Sequence, residues 1–153
     1  MLSGEAYWRE VGAELGVDPP PERVRELIRE DAVSWLRLNE RMMRWLQSLL
    51  AAGIPTAILS NMAADTWELA GPSFEDVATI TLSFEVGAVK PEPAIYLACL
   101  SALGVRAGEA LFVDDRRENV EAAWALGMQA LVFEGEDALA AELKRLGLNW
   151  PLP

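Results

Sequence analysis

The sequence contains no histidine and only one cysteine, Cys99. The absence of histidine excludes Ser-His-Asp and Cys-His catalysis, and it removes the usual imidazole ligands of zinc. A lone cysteine can form neither a disulfide within the chain nor a thiolate zinc site. Any catalytic chemistry must therefore rest on other side chains.

Basic residues are also few: 13 Lys and Arg stand against 24 Asp and Glu, which gives a net charge of −11. This charge repels nucleic acid and anionic membrane surfaces, so we expect neither as a partner. No apolar run approaches the length of a membrane span, and the first residues lack the pattern of a signal peptide. We therefore expect a cytoplasmic protein. A phosphate ligand stays compatible with the acidic chain, because a local cation can override the net charge.

The first third of the chain has the apolar periodicity of helices. Ser3 is a candidate cap for the first helix, and Gly16 a candidate stop. The segment from residue 23 to residue 53 is helical throughout and predicts two helices. Its apolar residues recur on one predicted face, formed by Leu36, Met43, Leu46 and Leu50.

The remaining two thirds alternate short apolar strands with helices. Strands that are continuously apolar predict a parallel sheet covered by helices on both faces, as in α/β proteins. We therefore predict an α/β fold with two parts. Residues 1–50 form a partial helical cap and a linker helix, and residues 51–153 form a Rossmann-like core.

Polar side chains are predicted at the carboxyl ends of these strands, where ligands bind in parallel sheets. Ser60 and Asn61 leave the first strand, and a hydroxyl and an amide can hold phosphate oxygens. Lys90 precedes a proline-started helix and can neutralise a phosphate. Asp114 and Asp115 end a later strand, where two adjacent carboxylates repel each other. A divalent cation such as Mg²⁺ relieves that repulsion.

Each of these signals also has an ordinary structural explanation. Ser-Asn is a common link between a strand and a helix, and Lys90 is compatible with a solvated surface residue. The pair Asp114-Asp115 fits a turn in which one carboxylate caps the next helix. Asn119, which follows it, fits either a helix cap or a residue that orients the loop. Taken singly, none of the motifs defines a function.

Their order along the chain is more informative. Strand-Ser-Asn, then Lys-Pro, then strand-Asp-Asp followed by Asn119 resembles the haloacid dehalogenase-like hydrolase superfamily, in its phosphatase branch with a helical cap. The most specific stretch is FVDDRRENVEAAWALGMQALVF, followed by VGAVKPEPAIY. The early stretch SGEAYWREVGAELG is similar to part of the helical cap.

The resemblance implies a role for each motif residue. It assigns catalytic roles to Lys90, Asp114 and Asn119, binding of the transferring phosphoryl group to Ser60 and Asn61, and the magnesium site to Asp115. Lys90 would stabilise the nucleophile and the phosphoryl charge. Asp114 would support the metal ligand, and Asn119 would position the acidic loop.

The chain departs from the family at the nucleophile. In the family, an N-terminal strand ends in two aspartates separated by one residue, and the first of them attacks the substrate. Asp18 lies in a proline turn and Asp31 in a predicted helix, so neither follows a strand. We therefore expect this chain to be inactive alone and to bind Mg²⁺ weakly. The family order 3-2-1-4-5 would become 3-2-4-5, with Ser60, Lys90 and Asp115 converging on one shallow pocket.

Two interpretations of function stay open. The first is a hydrolase that has lost its N-terminus through a misplaced start or a shortened chain; completed, it would cleave a small phosphate monoester. Dehalogenation is disfavoured, because the family's dehalogenases do not keep the Asp pair. The second is a non-enzymatic remnant that binds a partner or an anion. A receiver domain would have its motifs in the reverse order, and a dinucleotide-binding G-x-G-x-x-G is missing. A homodimer is compatible with either interpretation.

Overall fold

The computed structural model describes residues 3–35 and 37–153, in which helices precede and then alternate with four short strands. The helices are α1 (Gly4–Glu14), α2 (Pro21–Trp35), α3 (Glu40–Ala51), α4 (Ala64–Ala70), α5 (Ser83–Val86), α6 (Pro93–Leu103), α7 (Arg117–Ala125) and α8 (Glu136–Arg145). The strands are β1 (Ala57–Ser60), β2 (Thr79–Leu82), β3 (Leu111–Asp114) and β4 (Gln129–Val132). Short 3-10 helices span Gly71–Phe74 and Ala107–Glu109. The predicted α/β fold is confirmed.

The N-terminal helices begin and end close to where the sequence predicts. The Ala6 N–H donates to the Ser3 hydroxyl at 3.2 Å, so Ser3 caps α1. Asn39 caps α3, and its side-chain oxygen accepts from two backbone N–H groups. Helix α2 packs against both α1 and α4. Among the described residues, none of the helices combines the length and hydropathy that a membrane crossing needs.

The apolar face predicted on α3 is displaced by one position along the helix. The buried residues are Trp45 and Leu49, whereas Met43 and Leu46 are only partly buried, and Leu36 lies outside the described residues. Trp45 packs against α8, and its indole N–H donates to the Pro151 carbonyl at 2.7 Å. The buried face of α3 therefore contacts both α8 and the C-terminal tail. The predicted boundary at residue 50 stays a prediction.

The strands form two parallel pairs. Strand β1 pairs with β2, from Ala57 opposite Thr79 to Ser60 opposite Leu82. Strand β3 pairs with β4, from Leu111 opposite Gln129 to Asp114 opposite Val132. The expected single sheet of order 3-2-4-5 is therefore wrong at its centre, because β1 and β3 do not pair within the described residues.

The β3–β4 pair is covered by helices on both faces. Phe112 and Ala130 point toward α6 and α7, where they contact a buried cluster that includes Tyr96. Their neighbours Leu111 and Leu131 point to the opposite face, toward α3 and α8. Alternate residues of a strand face opposite sides, so this arrangement gives three layers. The prediction of helices on both faces of a parallel sheet is confirmed.

A cavity of about 640 Å³ separates the two strand pairs. Its walls include residues 57–59 of β1 and residues 111–114 of β3, and side chains of α3 and α6 contribute to its lining. We call this cavity the inter-strand slot. It lies where the family comparison above places a first strand, and the neighbours have not closed over it. Unpaired backbone groups along a strand edge are costly when water is excluded.

Candidate functional site

Lys90 joins the carboxyl ends of the two strand pairs. It lies in the loop that follows α5, where Gly87 ends the helix with φ of 72°. Its ammonium donates to the Leu59 carbonyl at 2.9 Å and to Asp114 Oδ2 at 2.7 Å. The Lys90 side chain is only 13% exposed, and its Nζ lies 5.8 Å from the centre of the Phe112 ring. Lys90 is therefore a largely buried cation that contacts Leu59 and Asp114, both of which line the inter-strand slot, and it is not a solvated surface lysine.

Asp114 is the anion that faces Lys90. It is the last residue of β3 and is buried. Besides the Lys90 bond, its Oδ1 accepts from the Arg116 N–H and from Asn119 Nδ2, each at 2.9 Å. Burial by itself raises the pKa of Asp114, but the bonds from Lys90, Asn119 and the Arg116 backbone outweigh it and lower that pKa. Asp114 is thus held as a carboxylate with both oxygens occupied.

Asn119 supports the acidic loop from α7. The residue is buried, with a relative exposure of 3%, and its Nδ2 donates to Asp114. The Asn119 Oδ1 has no hydrogen-bond partner among the described residues. On the backbone side, the Asn119 carbonyl accepts from the Tyr96 hydroxyl at 2.9 Å. Asn119 thus holds Asp114 through its side chain and is itself anchored through its backbone, while its role in catalysis stays a prediction.

Asn61 supports Lys90 through its backbone. The Asn61 amide donates to the Lys90 carbonyl at 2.9 Å, and its side-chain oxygen accepts from the Lys90 N–H at 2.7 Å. The sequence predicts Asn61 as a phosphoryl ligand, but the structure uses both ends of its amide to fix the loop of Lys90. Ser60, the last residue of β1, lines a second cavity that opens toward the N-terminal helices.

Asp115 is the exposed member of the acidic pair. It borders the inter-strand slot, whereas Ser60 borders the second cavity, so the one shallow pocket predicted for them is divided into two. Within the part of the chain that the structure describes, no three Asp, Glu or Cys side chains assemble as a metal cluster. Magnesium takes six ligands in near-octahedral geometry. Asp115 offers one free carboxylate, so the described residues do not form a complete magnesium site.

Tyr96 is a member of the site that the sequence does not single out. Its ring is fully buried and packs edge-to-face on Phe112, with ring centres 5.3 Å apart. Burial, together with the negative charge of Asp114, raises the pKa of Tyr96 to about 12. The available signal is weak: it is a lone phenol in the apolar helix that follows the Lys-Pro motif. A buried tyrosine usually needs a partner for its hydroxyl, and here that partner is the Asn119 carbonyl.

Parallel strands with helices on both faces, and polar side chains such as Asp114 and Lys90 at their carboxyl ends, have the architecture of a Rossmann-type α/β domain. The chain belongs to the haloacid dehalogenase-like hydrolase family, whose model matches residues 4–127. The resemblance drawn from the motifs is therefore confirmed.

A flavin mononucleotide hydrolase and a phosphatase are among its relatives. Flavin mononucleotide hydrolase 1 of Arabidopsis thaliana is 43% identical over 67 residues, which are 44% of this chain and 27% of that protein. The sesquiterpene phosphatase of Aspergillus oryzae is 30% identical over 149 residues, which are 91% of this chain and 71% of that protein. The chain thus spans about a quarter of the first relative's length and about seven tenths of the second's.

The fold recurs in a solved family enzyme from Bacteroides thetaiotaomicron, crystallised with magnesium and inorganic phosphate. The TM-score is 0.65 at 19% identity, and the match covers 86% of this chain and 69% of that one. At this level of identity the likeness concerns the fold.

Proposed function

We propose that this chain carries the Lys90 and phosphoryl-binding side of the active site of a magnesium-dependent phosphate-monoester hydrolase that works through an aspartyl-phosphate. The observation that carries the proposal is Lys90, whose ammonium bridges Leu59 and Asp114 at the end of the inter-strand slot. A buried cation at that position can stabilise the charge of an attacking carboxylate and of a phosphoryl group. The family membership, the relative named as a phosphatase and the relative named as a flavin mononucleotide hydrolase support the same reaction class.

The remaining residues would act around Lys90. Ser60 would hold a phosphoryl oxygen at the carboxyl end of β1. Asn61 would keep the Lys90 loop in place, and Asn119 would keep Asp114 oriented toward it. Positioning of this kind converts a binding site into a catalyst only when a nucleophile lies in line with the phosphorus.

The nucleophile is the part that these residues do not supply. The sequence has no Asp-x-Asp, and the described carboxylates at the site are Asp114, held by Lys90, and the exposed Asp115. We propose that a further parallel strand enters the inter-strand slot and brings the attacking carboxylate beside Lys90. By itself, this chain would be inactive and would bind Mg²⁺ weakly. The magnesium in the Bacteroides enzyme supports a metal requirement for the completed site.

The test adds the strand and follows phosphate release. The chain would be fused to an N-terminal apolar strand that ends in Asp-x-Asp, and compared with the same fusion carrying Asn-x-Asp. We expect release from an aryl phosphate only from the Asp-x-Asp fusion, dependent on added Mg²⁺. The unfused chain should be no faster than its Asp115→Ala variant. Magnesium-dependent turnover by the unfused chain would disprove the claim that this chain lacks a nucleophile.

A binding module without catalysis is the second candidate. It is favoured by one observation: Lys90 already has two acceptors, so its charge is compensated without a substrate carboxylate. If the Asp-x-Asp fusion folds and binds inorganic phosphate but releases none from the ester, this candidate replaces the hydrolase. A cytoplasmic location and a homodimer stay predictions under either candidate.

A further inference from the structure

The second cavity, of about 480 Å³, lies between the N-terminal helices and the segment that follows β1. Tyr7 and Trp8 of α1 and Ile28 of α2 line one side, and the other side includes Ser60 and Met62. We call this cavity the cap cleft. Because Ser60 belongs to it, a phosphate held at that serine would direct the rest of its molecule toward these side chains.

The aromatic pair gives the cap cleft a face on which a flat apolar group can pack. The Tyr7 and Trp8 rings meet edge-to-face, with their centres 5.2 Å apart. Tyr7 is 50% exposed, so part of its ring is available for further contact. Aromatic side chains bury a large apolar area and favour edge-to-face or offset contact with another ring.

The charge of the cap cleft is of one sign. Its lining includes the carboxylates of Asp31 and Asp65 and no Lys or Arg. Asp65 Oδ1 accepts from the Thr66 N–H, while the Asp31 carboxylate has no ion pair or hydrogen bond among the described residues. Two carboxylates without a cation repel a ligand that carries a negative charge on its leaving group in addition to its phosphate. A cleft that partly excludes water strengthens that repulsion.

The approach of α1 to α4 is fixed by Gly4. A Cβ on Gly4 would lie 2.2 Å from Asp65 Oδ2 and 3.2 Å from Ile28 Cγ1. The first turn of α1 therefore lies directly against Asp65, and a larger residue would push the two apart. Below it, Ala32 of α2 is fully buried. The junction of α1, α2 and α4 is thus closely packed, and the aromatic pair and both carboxylates line the same cap cleft.

We infer that the cap cleft selects phosphate monoesters whose leaving group is aromatic or apolar and carries no negative charge. This rests on the proposed function, since it assumes that Ser60 holds the phosphate. The phosphate would lie toward Lys90, and the leaving group would lie against Tyr7 and Trp8 with Asp31 nearby. An ester with a carboxylate on its leaving group would place that charge against the acidic wall.

A pair of ligands that differ only in charge tests the inference. Phenyl phosphate and 4-carboxyphenyl phosphate would be titrated into the 153-residue chain labelled with ¹⁵N, alongside inorganic phosphate. The Trp8 indole signal would be identified from a Trp8→Phe variant. We expect phenyl phosphate to move the Trp8 signal and to bind about tenfold more tightly than the carboxylated ester, from one added like-charge contact.

The matched variants are Asp31→Asn and Glu10→Gln. Each removes one negative charge, but Glu10 is exposed on α1 and does not line the cap cleft. Asp31→Asn should reduce the ratio of the two esters' binding affinities severalfold, and Glu10→Gln should leave that ratio unchanged. Equal affinity for the two esters in the parent chain, or a difference that Asp31→Asn does not alter, would overturn the inference.

The same titration separates this inference from the proposed function. Inorganic phosphate should move the backbone signals of Ser60 and Asn61. If it does not, the phosphate subsite is wrong and both proposals fall. If it does, and the two esters still bind equally well, the selection by leaving group fails while the hydrolase proposal stands.

Discussion

The charge pair of Lys90 and Asp114 connects two strand pairs that share no backbone hydrogen bonds in the described residues. Lys90 reaches the end of β1 through Leu59, and Asp114 ends β3. Removing one partner of a buried ion pair leaves the other charge without compensation, which is more costly than losing a surface contact. The pair therefore contributes to the fold as well as to the proposed chemistry.

We predict that Asp114→Asn lowers the free energy of unfolding by about 3 kcal/mol at neutral pH. The pKa of Asp114 is lowered in the folded chain, so its carboxylate stabilises the fold above the usual pKa, and that contribution is lost as pH falls through the folded pKa. The difference between parent and variant should therefore shrink at acid pH. Urea denaturation at neutral and acid pH measures it.

The control for this prediction is Asp137→Asn. Asp137 pairs with Arg41 at 2.7 Å, but its side chain is 91% exposed. Exposed pairs contribute about 0.2–1 kcal/mol, so this variant should be close to the parent chain. A loss of equal size in both variants would show that the Lys90–Asp114 pair is no stronger than a surface contact.

At the scale of elements, α1 is held by a turn that folds back onto it. Gly12 is buried near the end of α1, and its carbonyl accepts from the Val17 N–H at 2.9 Å. A Cβ on Gly12 would lie 2.8 Å from Pro19 Cδ and 2.9 Å from the Val17 carbonyl oxygen. A proline ring and a backbone oxygen cannot rotate away as the end of a flexible side chain can. This glycine is required by packing, not by its φ.

Two opposed effects decide what Gly12→Ala does. Helix propensity favours alanine by about 1 kcal/mol, while forcing a methyl group into a packed contact costs about 1–3 kcal/mol. We expect the contact to dominate, with a lower melting temperature. In Gly108→Ala, the matched control, the new Cβ would meet nothing nearer than 3.9 Å, and we expect no loss. A stabilised Gly12→Ala variant would show that α1 does not pack on this turn.

At the scale of the whole molecule, the sequence predicts what depends on local pattern. Strand–helix alternation predicts the α/β fold, and polar residues at or shortly after strand ends predict Ser60, Lys90 and the Asp114-Asp115 pair at the carboxyl edge of the strands. What it does not predict depends on contacts between distant segments. The Asn61 amide bonds the backbone 29 positions along the chain, and the Trp45 indole N–H bonds the tail 106 positions away. Neither partner is visible in local periodicity.

The separation of β1 from β3 is the largest difference between the predicted and the observed structure. It also leads to a prediction about stability. Motif order alone leaves two outcomes open: the neighbours close on each other, or another segment fills the gap between them. The structure keeps them apart around the inter-strand slot. The slot is lined by apolar side chains such as Leu59, Leu111 and Val113. An added strand would therefore meet backbone partners on both edges and apolar contact on its faces.

We predict that filling the inter-strand slot stabilises the chain whether or not the new strand carries carboxylates. Each buried Val, Leu or Ile contributes about 1.5–3 kcal/mol against an ordering cost of about 1–2 kcal/mol per residue, so at the middle of both ranges a strand of several such residues gains a few kcal/mol. At about 2–4 °C per kcal/mol for a chain near this size, the melting temperature should rise by about 5 °C or more. The strand to test ends in Asn-x-Asn. Because asparagine is uncharged, any stabilisation by this strand comes from backbone pairing and apolar contact and not from added carboxylates.

The control strand has the same composition with a proline at its centre, since proline lacks the N–H and is excluded from central strands. It should leave the melting temperature unchanged. Hydrogen exchange adds a local readout: amides of residues 57–60 and 111–114 that face the slot should gain protection only with the proline-free strand. If those amides are already protected in the unfused chain, and neither strand raises the melting temperature, then β1 and β3 close on each other in solution. The added strand would then stay unpaired.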